Sequence, residues 1–267
     1  MSDLAPLLSV SGLVVELGSG ARTSRVLNNV SLDVARGSAV GIVGESGSGK
    51  STLAKTIVGI HRPERGSIVF AGTELTSRSA SRSRSVMRRI QYIPQDPYSS
   101  LNPRRTVGQT LAEAIDPRWS RVRAHRQQIV EALLAVALAE DAIDRYPHEF
   151  SGGQRQRIAI ARALVTNPEI IIADEITSAL DVSTQAEILT LLQRIRGDLG
   201  LTMLFISHNL AVVRELCDQI VVLLQGDVVE SGATIDVFRH PKSDYTRRLI
   251  ESVPGGPAFS LADVPLA

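Results

Sequence analysis

The chain contains 267 residues, and 43% of them are hydrophobic, which is enough to bury the interior of one large α/β domain or of a core with a sub-domain. Its 29 basic and 28 acidic residues leave a formal net charge of +1. This near balance excludes binding of nucleic acid through an overall positive field, so partners have to be inferred from local sites.

The cysteine content and the apolar segments narrow the class of protein further. Cys217 is the single cysteine, so no disulfide can form within the chain, and its helix-like surroundings predict a buried structural thiol. The longest apolar run, 132–139, falls well short of the ~18 residues that a membrane span requires. The polar start Met1-Ser2-Asp3 lacks a signal peptide. We therefore expect a soluble, cytoplasmic protein.

Short apolar segments that indicate β-strands alternate with longer helical patterns, which is typical of the α/β class. Turn sequences such as Ala35-Arg36-Gly37 and Arg65-Gly66 separate the first segments, so we predict a hairpin-rich β layer ahead of the core. The predicted strands, in chain order, are Leu7–Val10, Val30–Val34, Ala39–Val43, Ser67–Phe70, Ile90–Ile93, Ile170–Ala173, Met203–Ile206 and Ile220–Leu224.

A glycine-rich loop follows the third predicted strand, Ala39–Val43, and fits the phosphate-loop pattern G-x-x-x-x-G-K-[ST]. Its glycines let the backbone approach phosphate oxygens, and the next helix offers its positive N-terminal end to the same anion. Lys50 is expected to reach the β- and γ-phosphates, and Ser51 to ligate Mg²⁺. The predicted nucleotide contacts are Gly44, Glu45, Ser46, Gly47, Ser48, Gly49, Lys50, Ser51 and Thr52.

Two segments between the predicted core strands differ from them in sequence pattern, one with helical apolar spacing and one rich in arginine and serine. From Thr106 to Glu140 the apolar spacing is helical, and this block lies between two groups of core strands, so we predict a helical sub-domain inserted into the core. The Arg/Ser-rich stretch Ser77–Ser85 is of a kind that binds RNA when disordered. It is short and lacks interleaved aromatic residues, which favours a solvated helix or loop.

A second candidate site ends the predicted strand Ile170–Ala173, where Asp174 and Glu175 follow the apolar run. In α/β sheets the carboxyl ends of the strands are where ligands bind. Asp174 is expected to hold Mg²⁺ through water, and Glu175 to reach the water that attacks the γ-phosphate. The alternative is an acidic pair that caps the next helix, which the phosphate loop elsewhere in the chain makes less favoured.

A third motif, Phe150-Ser151-Gly152-Gly153-Gln154, precedes a run with helical spacing. Ser151 has the character of an N-cap, and the two glycines leave backbone amides open to an anion, so the motif predicts a second phosphate-binding helix start. A monomer already has one such site in the phosphate loop. We therefore expect the second to act across an interface, on nucleotide held by another subunit.

The sequence resembles the ATP-binding cassette family, whose signature Leu-Ser-Gly-Gly-Gln corresponds to 150–154 with phenylalanine in place of leucine. Gln95 matches the family's glutamine that senses Mg²⁺ and contacts the transmembrane partner. His208 matches the γ-phosphate histidine, and Asp181 closes the loop Ser178-Ala179-Leu180-Asp181 that crosses the dimer. The resemblance spans roughly residues 7 to 253 and includes five motifs in the family order.

The resemblance implies a P-loop NTPase (RecA-like) core with an N-terminal antiparallel β layer and an inserted helical sub-domain. It divides the chain into a nucleotide-binding domain at 1–240, which includes the helical sub-domain at about 96–165, and a short C-terminal tail at 241–267. It also implies a head-to-tail dimer with a copy of this chain or a paralogue. Two ATP molecules would lie between the phosphate loop of one subunit and the partner's signature segment, formed by Ser151, Gly152, Gly153 and Gln154.

The roles implied by the resemblance are catalytic for Lys50, Gln95, Glu175 and His208, and metal-binding for Ser51, Gln95 and Asp174. Asp181 joins the nucleotide contacts. Family members usually stack an aromatic residue on adenine, and Leu17 stands at that place, which predicts weaker stacking, by about 1–3 kcal/mol. Two further positions depart from the family pattern: Ile176 follows Glu175 where the family usually has proline, and Asn209 follows His208 where it usually has aspartate. Neither change removes a predicted reactive group.

The segment Gln95–Arg104 looks like the branch of the family that powers oligopeptide, dipeptide and nickel uptake. The resemblance therefore implies an ATPase subunit of a bacterial importer at the cytoplasmic face of the membrane. Its partners would be two transmembrane permeases, a second ATPase subunit and, indirectly, an external substrate-binding protein, with no nucleic acid. A nickel or other small-nutrient importer stays open, as do two remote alternatives: a soluble family member acting on ribosomes or DNA, and a module that binds nucleotide without turnover.

Overall fold

The computed structural model describes residues 5–18, 20, 23–76, 84–96, 100–178 and 180–252. The chain forms two compact units, one from Met1–Arg84 with Thr202–Ala267 and one from Ser85–Leu201. Each unit contains both strands and helices, so the predicted α/β class is confirmed. The predicted helical block at about 96–165 lies inside the second unit, which also contains strands.

An antiparallel sheet occupies the N-terminal part of the first unit, as predicted, and consists of β1 (Leu8–Leu17), β2 (Ser24–Val34), β4 (Arg65–Phe70) and β5 (Thr73–Glu74). The strand order is β2-β1-β4-β5. The central strand β1 carries Leu8, which pairs with Val34 on one side and Phe70 on the other, and all three are fully buried. Buried apolar positions alternate with more exposed ones along these strands, a pattern typical of an antiparallel sheet that packs one face against the core.

The first unit also contains a parallel group of strands, in which β3 (Ala39–Val43) lies between β8 (Thr202–Ile206) and β9 (Gln219–Leu224). Every residue of β3 and β8 is buried, as expected for parallel strands covered on both faces. A further strand, β10 (Asp227–Ala233), pairs antiparallel with β9. The helices of this unit are α1 (Lys50–Ile57), α7 (Leu210–Leu216), α8 (Thr234–Arg239) and α9 (Asp244–Glu251).

In the second unit, β6 (Ile90–Ile93) and β7 (Ile170–Asp174) pair in parallel, with Tyr92 opposite Ile172. Short 3-10 turns, such as Val122–His125, separate the helices. The helix over Val107–Ile115 begins at a complete capping box, in which Thr106 and Gln109 satisfy each other's backbone N–H groups. The helices are α2 (Arg84–Arg89), α3 (Val107–Ile115), α4 (Arg126–Ala135), α5 (Gly152–Leu164) and α6 (Val182–Leu199).

All of the predicted strands are present, although β1 and β2 are longer than the apolar runs that indicated them. Cys217 directly follows α7 and is buried, as predicted. Of the Arg/Ser-rich stretch, 77–83 lie outside the described residues, as do 253–267 of the predicted tail. Within the described ranges, no helix combines the length and the apolar character needed to cross a membrane.

Candidate nucleotide-binding and hydrolysis site

The phosphate loop connects the buried strand β3 to α1, and two of its glycines are required by their surroundings. Gly44 has φ 149°, and a Cβ at this position would lie 2.1 Å from the Leu223 carbonyl oxygen. Gly49 has φ 105°, and its Cβ would lie 2.6 Å from Leu27 Cδ2. These are backbone conformations and spaces that only glycine fits without strain. The loop is therefore shaped by close packing at both ends.

The first turn of α1 is arranged to receive an anion. Gly49 is the N-cap, and no side-chain hydrogen bond caps the helix, so α1 presents its positive N-terminal end at the loop. The ammonium of Lys50 lies inside the loop, where Nζ donates to the carbonyl oxygens of Gly44 at 2.8 Å and Glu45 at 2.7 Å. A positive charge and a helix N-terminus at one loop provide the electrostatics that a polyphosphate requires.

His208 and Leu17 also lie in the first unit, at the ends of strands. His208 is exposed just beyond β8, and the next residue, Asn209, caps α7 by accepting from Ala211 N–H at 3.0 Å and Val212 N–H at 3.4 Å. Asparagine thus supplies the same cap that an aspartate would, which accounts for the departure from the family pattern. Leu17 ends β1, half-buried, opposite Ser24.

The acidic pair lies at the carboxyl end of β7 in the second unit, as predicted. Asp174 is 2% exposed, and its Oδ2 accepts a hydrogen bond from the Tyr92 hydroxyl at 2.8 Å. Burial raises the pKa of Tyr92, and the neighbouring Asp174 carboxylate, both through its charge and through the hydrogen bond, raises it further. Tyr92 therefore stays a neutral donor that orients the buried carboxylate.

Glu175 differs from Asp174 in both backbone and surroundings. Its φ is 48°, in the left-handed region that a non-glycine residue adopts at a cost of about 1–3 kcal/mol, and such strain clusters at functional sites. The side chain is half-buried, and Gln95 Nε2 donates to Glu175 Oε2 at 3.0 Å. The structure thus brings together two residues that the sequence separates by eighty positions. The alternative that the acidic pair caps the next helix is wrong, because Asp181 is the N-cap of α6.

The signature segment forms the N-terminus of α5. Ser151 Oγ accepts from Gln154 N–H at 3.3 Å, while Gln154 Oε1 accepts from Ser151 N–H at 3.0 Å, which completes a capping box. The prediction of Ser151 as N-cap is confirmed. Gly153 is tightly packed, since a Cβ there would lie 2.4 Å from Thr184 Cγ2, whereas Gly152 has room.

Asp181 caps the N-terminus of the helix that follows it, α6. Its carboxylate accepts from Ser183 Oγ at 2.6 Å, from Thr184 N–H at 2.9 Å and from Thr184 Oγ1 at 2.8 Å. The Ser183 hydroxyl, followed by the Thr184 amide and hydroxyl, lowers the pKa of Asp181 from 3.8 to about 2. The residue is exposed, so a charged cap stands at the surface of the second unit.

Sequence reasoning missed two tyrosines, one beside the acidic pair of the second unit and one beside the phosphate loop of the first. Tyr92 orients Asp174, and Tyr245 accepts a hydrogen bond from the Glu45 N–H of the phosphate loop at 3.0 Å. The sequence could have indicated Tyr92 as a site residue, because it lies in the predicted strand Ile90–Ile93 that leads to Gln95. No local signal marks Tyr245, which belongs to a helix 200 residues further along the chain.

Comparisons with known proteins show the family to which the chain belongs. The family model described as ABC transporter matches residues 27–178. An ATP-binding protein of Brucella ovis, provisionally named for peptide import, is 48% identical over 250 residues, which cover 93% of this chain and 79% of that protein. The oligopeptide transport ATP-binding protein OppF of Escherichia coli is 44% identical over 236 residues, which cover 87% of this chain and 70% of OppF.

Solved structures show the same fold. The ATP-binding cassette MJ0796, solved as a dimer bound to ADP and phosphate, has a TM-score of 0.75 and 28% identity, and the match covers 85% of this chain and 98% of MJ0796. The cbiO1 protein of Clostridium perfringens also has a TM-score of 0.75 and 28% identity, covering 89% of this chain and 92% of cbiO1. The predicted P-loop NTPase fold is confirmed, and the chain belongs to the ABC transporter family as an ATP-hydrolysing cassette.

Proposed function

We propose that this chain is the ATPase subunit of a peptide importer and acts at the cytoplasmic face of the membrane with two permease subunits. The hydrogen bond between Gln95 and Glu175 carries the catalytic part of the proposal, because it holds a carboxylate at the end of a buried strand. The names of the Brucella ovis and Escherichia coli relatives support the peptide part. An external binding protein would supply the substrate.

Hydrolysis requires a base for the attacking water, and Glu175 is our candidate. Its carboxylate accepts a hydrogen bond from a neutral amide donor, Gln95 Nε2, which orients the group, and a carboxylate at this position can accept the proton of the attacking water. Lys50 would move from the Gly44 and Glu45 carbonyls to the phosphates, where its charge stabilises the transition state. His208, exposed beyond β8, would contact the γ-phosphate, and Leu17 would lie near the adenine.

The proposed nucleotide is ATP with Mg²⁺, an ion that prefers hard oxygen ligands. The residues assigned to it fit, because they offer the Asp174 carboxylate, which is buried and oriented by Tyr92, together with the Ser51 hydroxyl and the Gln95 amide oxygen. When bound, Mg²⁺ would neutralise charge on the β- and γ-phosphates. Asp174 would hold it through water.

A second subunit, either a copy of this chain or a paralogue, completes the proposed assembly. The signature segment has two glycines at the start of α5, and its N-terminus can bind the phosphates of a nucleotide held by the other subunit. In a head-to-tail pair each ATP would then be contacted by two helix N-termini. Gly152 adds no side chain at that helix start, Gly153 lets α5 pack against Thr184, and Asp181 would lie in the crossing loop.

The decisive experiment reconstitutes the chain with its permease partners and measures ATP hydrolysis on addition of binding protein. We expect stimulation by binding protein loaded with a short peptide. Stimulation only by a nickel-loaded binding protein would contradict the peptide assignment and leave the ATPase assignment intact.

Two matched variants of the same complex test the catalytic assignment. Glu175→Gln keeps the shape of the side chain but cannot accept a proton, so hydrolysis should fall about 10²–10⁴-fold while ATP binding persists. Glu187→Gln makes the same chemical change at an exposed residue that pairs with Arg157, and should hydrolyse ATP normally. Near-normal hydrolysis by Glu175→Gln would assign the base elsewhere, with His208 as the first candidate.

A further inference from the structure

A hydrogen bond joins the entrance of the phosphate loop to the C-terminal helix α9. The backbone N–H of Glu45 donates to the Tyr245 hydroxyl at 3.0 Å, and Tyr245 is 8% exposed. Glu45 directly follows Gly44, where the chain turns against the Leu223 carbonyl. The phenol thus accepts from a backbone donor of the phosphate loop and sets the direction of that peptide group.

The position of Tyr245 is itself fixed by contacts with β10. Glu230, 8% exposed in that strand, accepts from the backbone N–H groups of Lys242 at 2.9 Å and Ser243 at 3.0 Å. Ser243 then caps α9, since its Oγ accepts from Tyr245 N–H at 3.2 Å. A carboxylate that receives two backbone N–H groups is a strong anchor. These hydrogen bonds fix the start of α9, and with it the position from which the Tyr245 hydroxyl reaches the loop.

The opposite side of the same peptide group is held by Lys50. Its Nζ donates to the carbonyl oxygens of Gly44 and Glu45, at 2.8 and 2.7 Å. When a polyphosphate binds, the ammonium is drawn to the phosphate oxygens and these two hydrogen bonds weaken. In a trans peptide the N–H points opposite to the C=O, so the hydrogen bond from Glu45 N–H to Tyr245 is directed away from the Lys50 ammonium that holds the Gly44 carbonyl. It can keep the entrance of the loop in place while the lysine changes partners.

We propose that Tyr245 is a positioning residue of the phosphate loop, through which the segment 240–252 supports nucleotide binding. The proposal rests on the assignment of this loop to ATP. It gives α9 a role in the nucleotide site rather than in packing alone. Because the loop cradles the β-phosphate, which ATP and ADP share, the loss of the phenol hydroxyl should weaken both nucleotides by the same factor. The loss of the Lys50 charge should weaken ATP more than ADP.

The test compares Tyr245→Phe with Arg247→Ala, an exposed residue of the same helix that pairs with Asp244. Both full-length variants are titrated with ATP and with ADP, and amide hydrogen exchange is followed at Glu45. For Tyr245→Phe we expect about 2- to 10-fold weaker binding of both nucleotides, the effect of one net hydrogen bond, and faster exchange at Glu45. KM for ATP should rise with little change in kcat, because the loop holds the phosphates in the ground and transition states alike.

The outcomes separate this proposal from the function on which it depends. Arg247→Ala should match the wild type in every measurement. If Tyr245→Phe lowers only the unfolding midpoint and leaves both dissociation constants and the Glu45 exchange rate unchanged, the tyrosine has a packing role and the proposal is wrong. An equal effect of Arg247→Ala would also overturn it. A wild-type chain that binds neither ATP nor ADP would instead refute the nucleotide assignment itself.

Discussion

Gly152 and Gly153 are adjacent at the start of α5 but differ in the space available for a side chain. A Cβ on Gly152 would lie 3.9 Å from Leu180 Cδ2, which is an ordinary contact, whereas one on Gly153 would lie 2.4 Å from Thr184 Cγ2. The methyl group that blocks Gly153 belongs to a residue whose hydroxyl bonds to Asp181. The packing of α5 against α6 thus explains the second glycine without reference to nucleotide.

Gly153→Ala should therefore lower the free energy of unfolding, by about 1–3 kcal/mol, because the new methyl overpacks the contact with Thr184. Thr184→Ser in the same chain should restore most of the loss, since serine keeps the hydroxyl bonded to Asp181 and removes Cγ2. The matched control is Gly152→Ala, which should be neutral or slightly stabilising. Urea unfolding of the four proteins measures the effect, and equal stability of the two alanine variants would contradict the steric explanation.

At the scale of the element, α6 begins at a charged cap whose strength depends on pH. The pKa of Asp181 is lowered to about 2, so the folded chain binds a proton there less readily than the unfolded chain, where the ordinary value is 3.8. The cap therefore stabilises the fold fully above pH 3.8, and this contribution is lost as the pH falls from 3.8 to about 2. The pH dependence should be confined to that acid range.

Carboxyl ¹³C NMR at about pH 3 tests the cap directly, because an ordinary aspartate is mostly protonated at that pH. We expect the Asp181 signal to remain that of the ionised form. Ser183→Ala removes the hydroxyl that contributes most to the shift, so its Asp181 should titrate at higher pH. An Asp181 that titrates at its ordinary value in the wild type would show that the three hydrogen bonds are not formed in solution.

The elements that the sequence predicted are those with a local signal. Strands such as β3, β7 and β8 are uninterrupted apolar runs because parallel strands are buried on both faces. The strand β10 was missed because its sequence, Asp-Val-Val-Glu-Ser-Gly-Ala, is mixed and lies at the edge of a sheet. The helix α9 was missed for a related reason, since few of its residues are buried and tertiary contacts at Tyr245 hold it in place.

At the scale of the whole molecule, the motifs within each unit could be located from the sequence, while their side-chain partners could not. The phosphate loop and the acidic pair are contiguous, so the pattern alone identifies them. The hydrogen bond from Gln95 to Glu175 joins residues 80 positions apart, and the one from Glu45 to Tyr245 joins residues 200 positions apart. Such pairs depend on the topology of the sheet and on helix packing, which a single sequence does not encode locally.

The proposed head-to-tail pair makes a prediction about mixtures of variants. Lys50→Ala should disable the phosphate loop of a subunit, and Ser151→Arg should disable its signature segment by placing a bulky side chain at the exposed N-cap. In a mixed pair both changes meet at one nucleotide, and the other nucleotide keeps an intact loop and an intact signature segment.

We therefore expect ATP-dependent dimers, measured by light scattering in the Glu175→Gln background, to be lost in either variant alone and partly recovered when the two are mixed. Wild-type loop and signature sequences in that background are the positive control. Circular dichroism of each variant checks that the fold is retained. If both sites were instead completed within a single subunit, mixing would recover nothing. If the Glu175→Gln parent does not dimerise with ATP, the second subunit is a paralogue, and the same mixing experiment then applies to the pair that the two chains form.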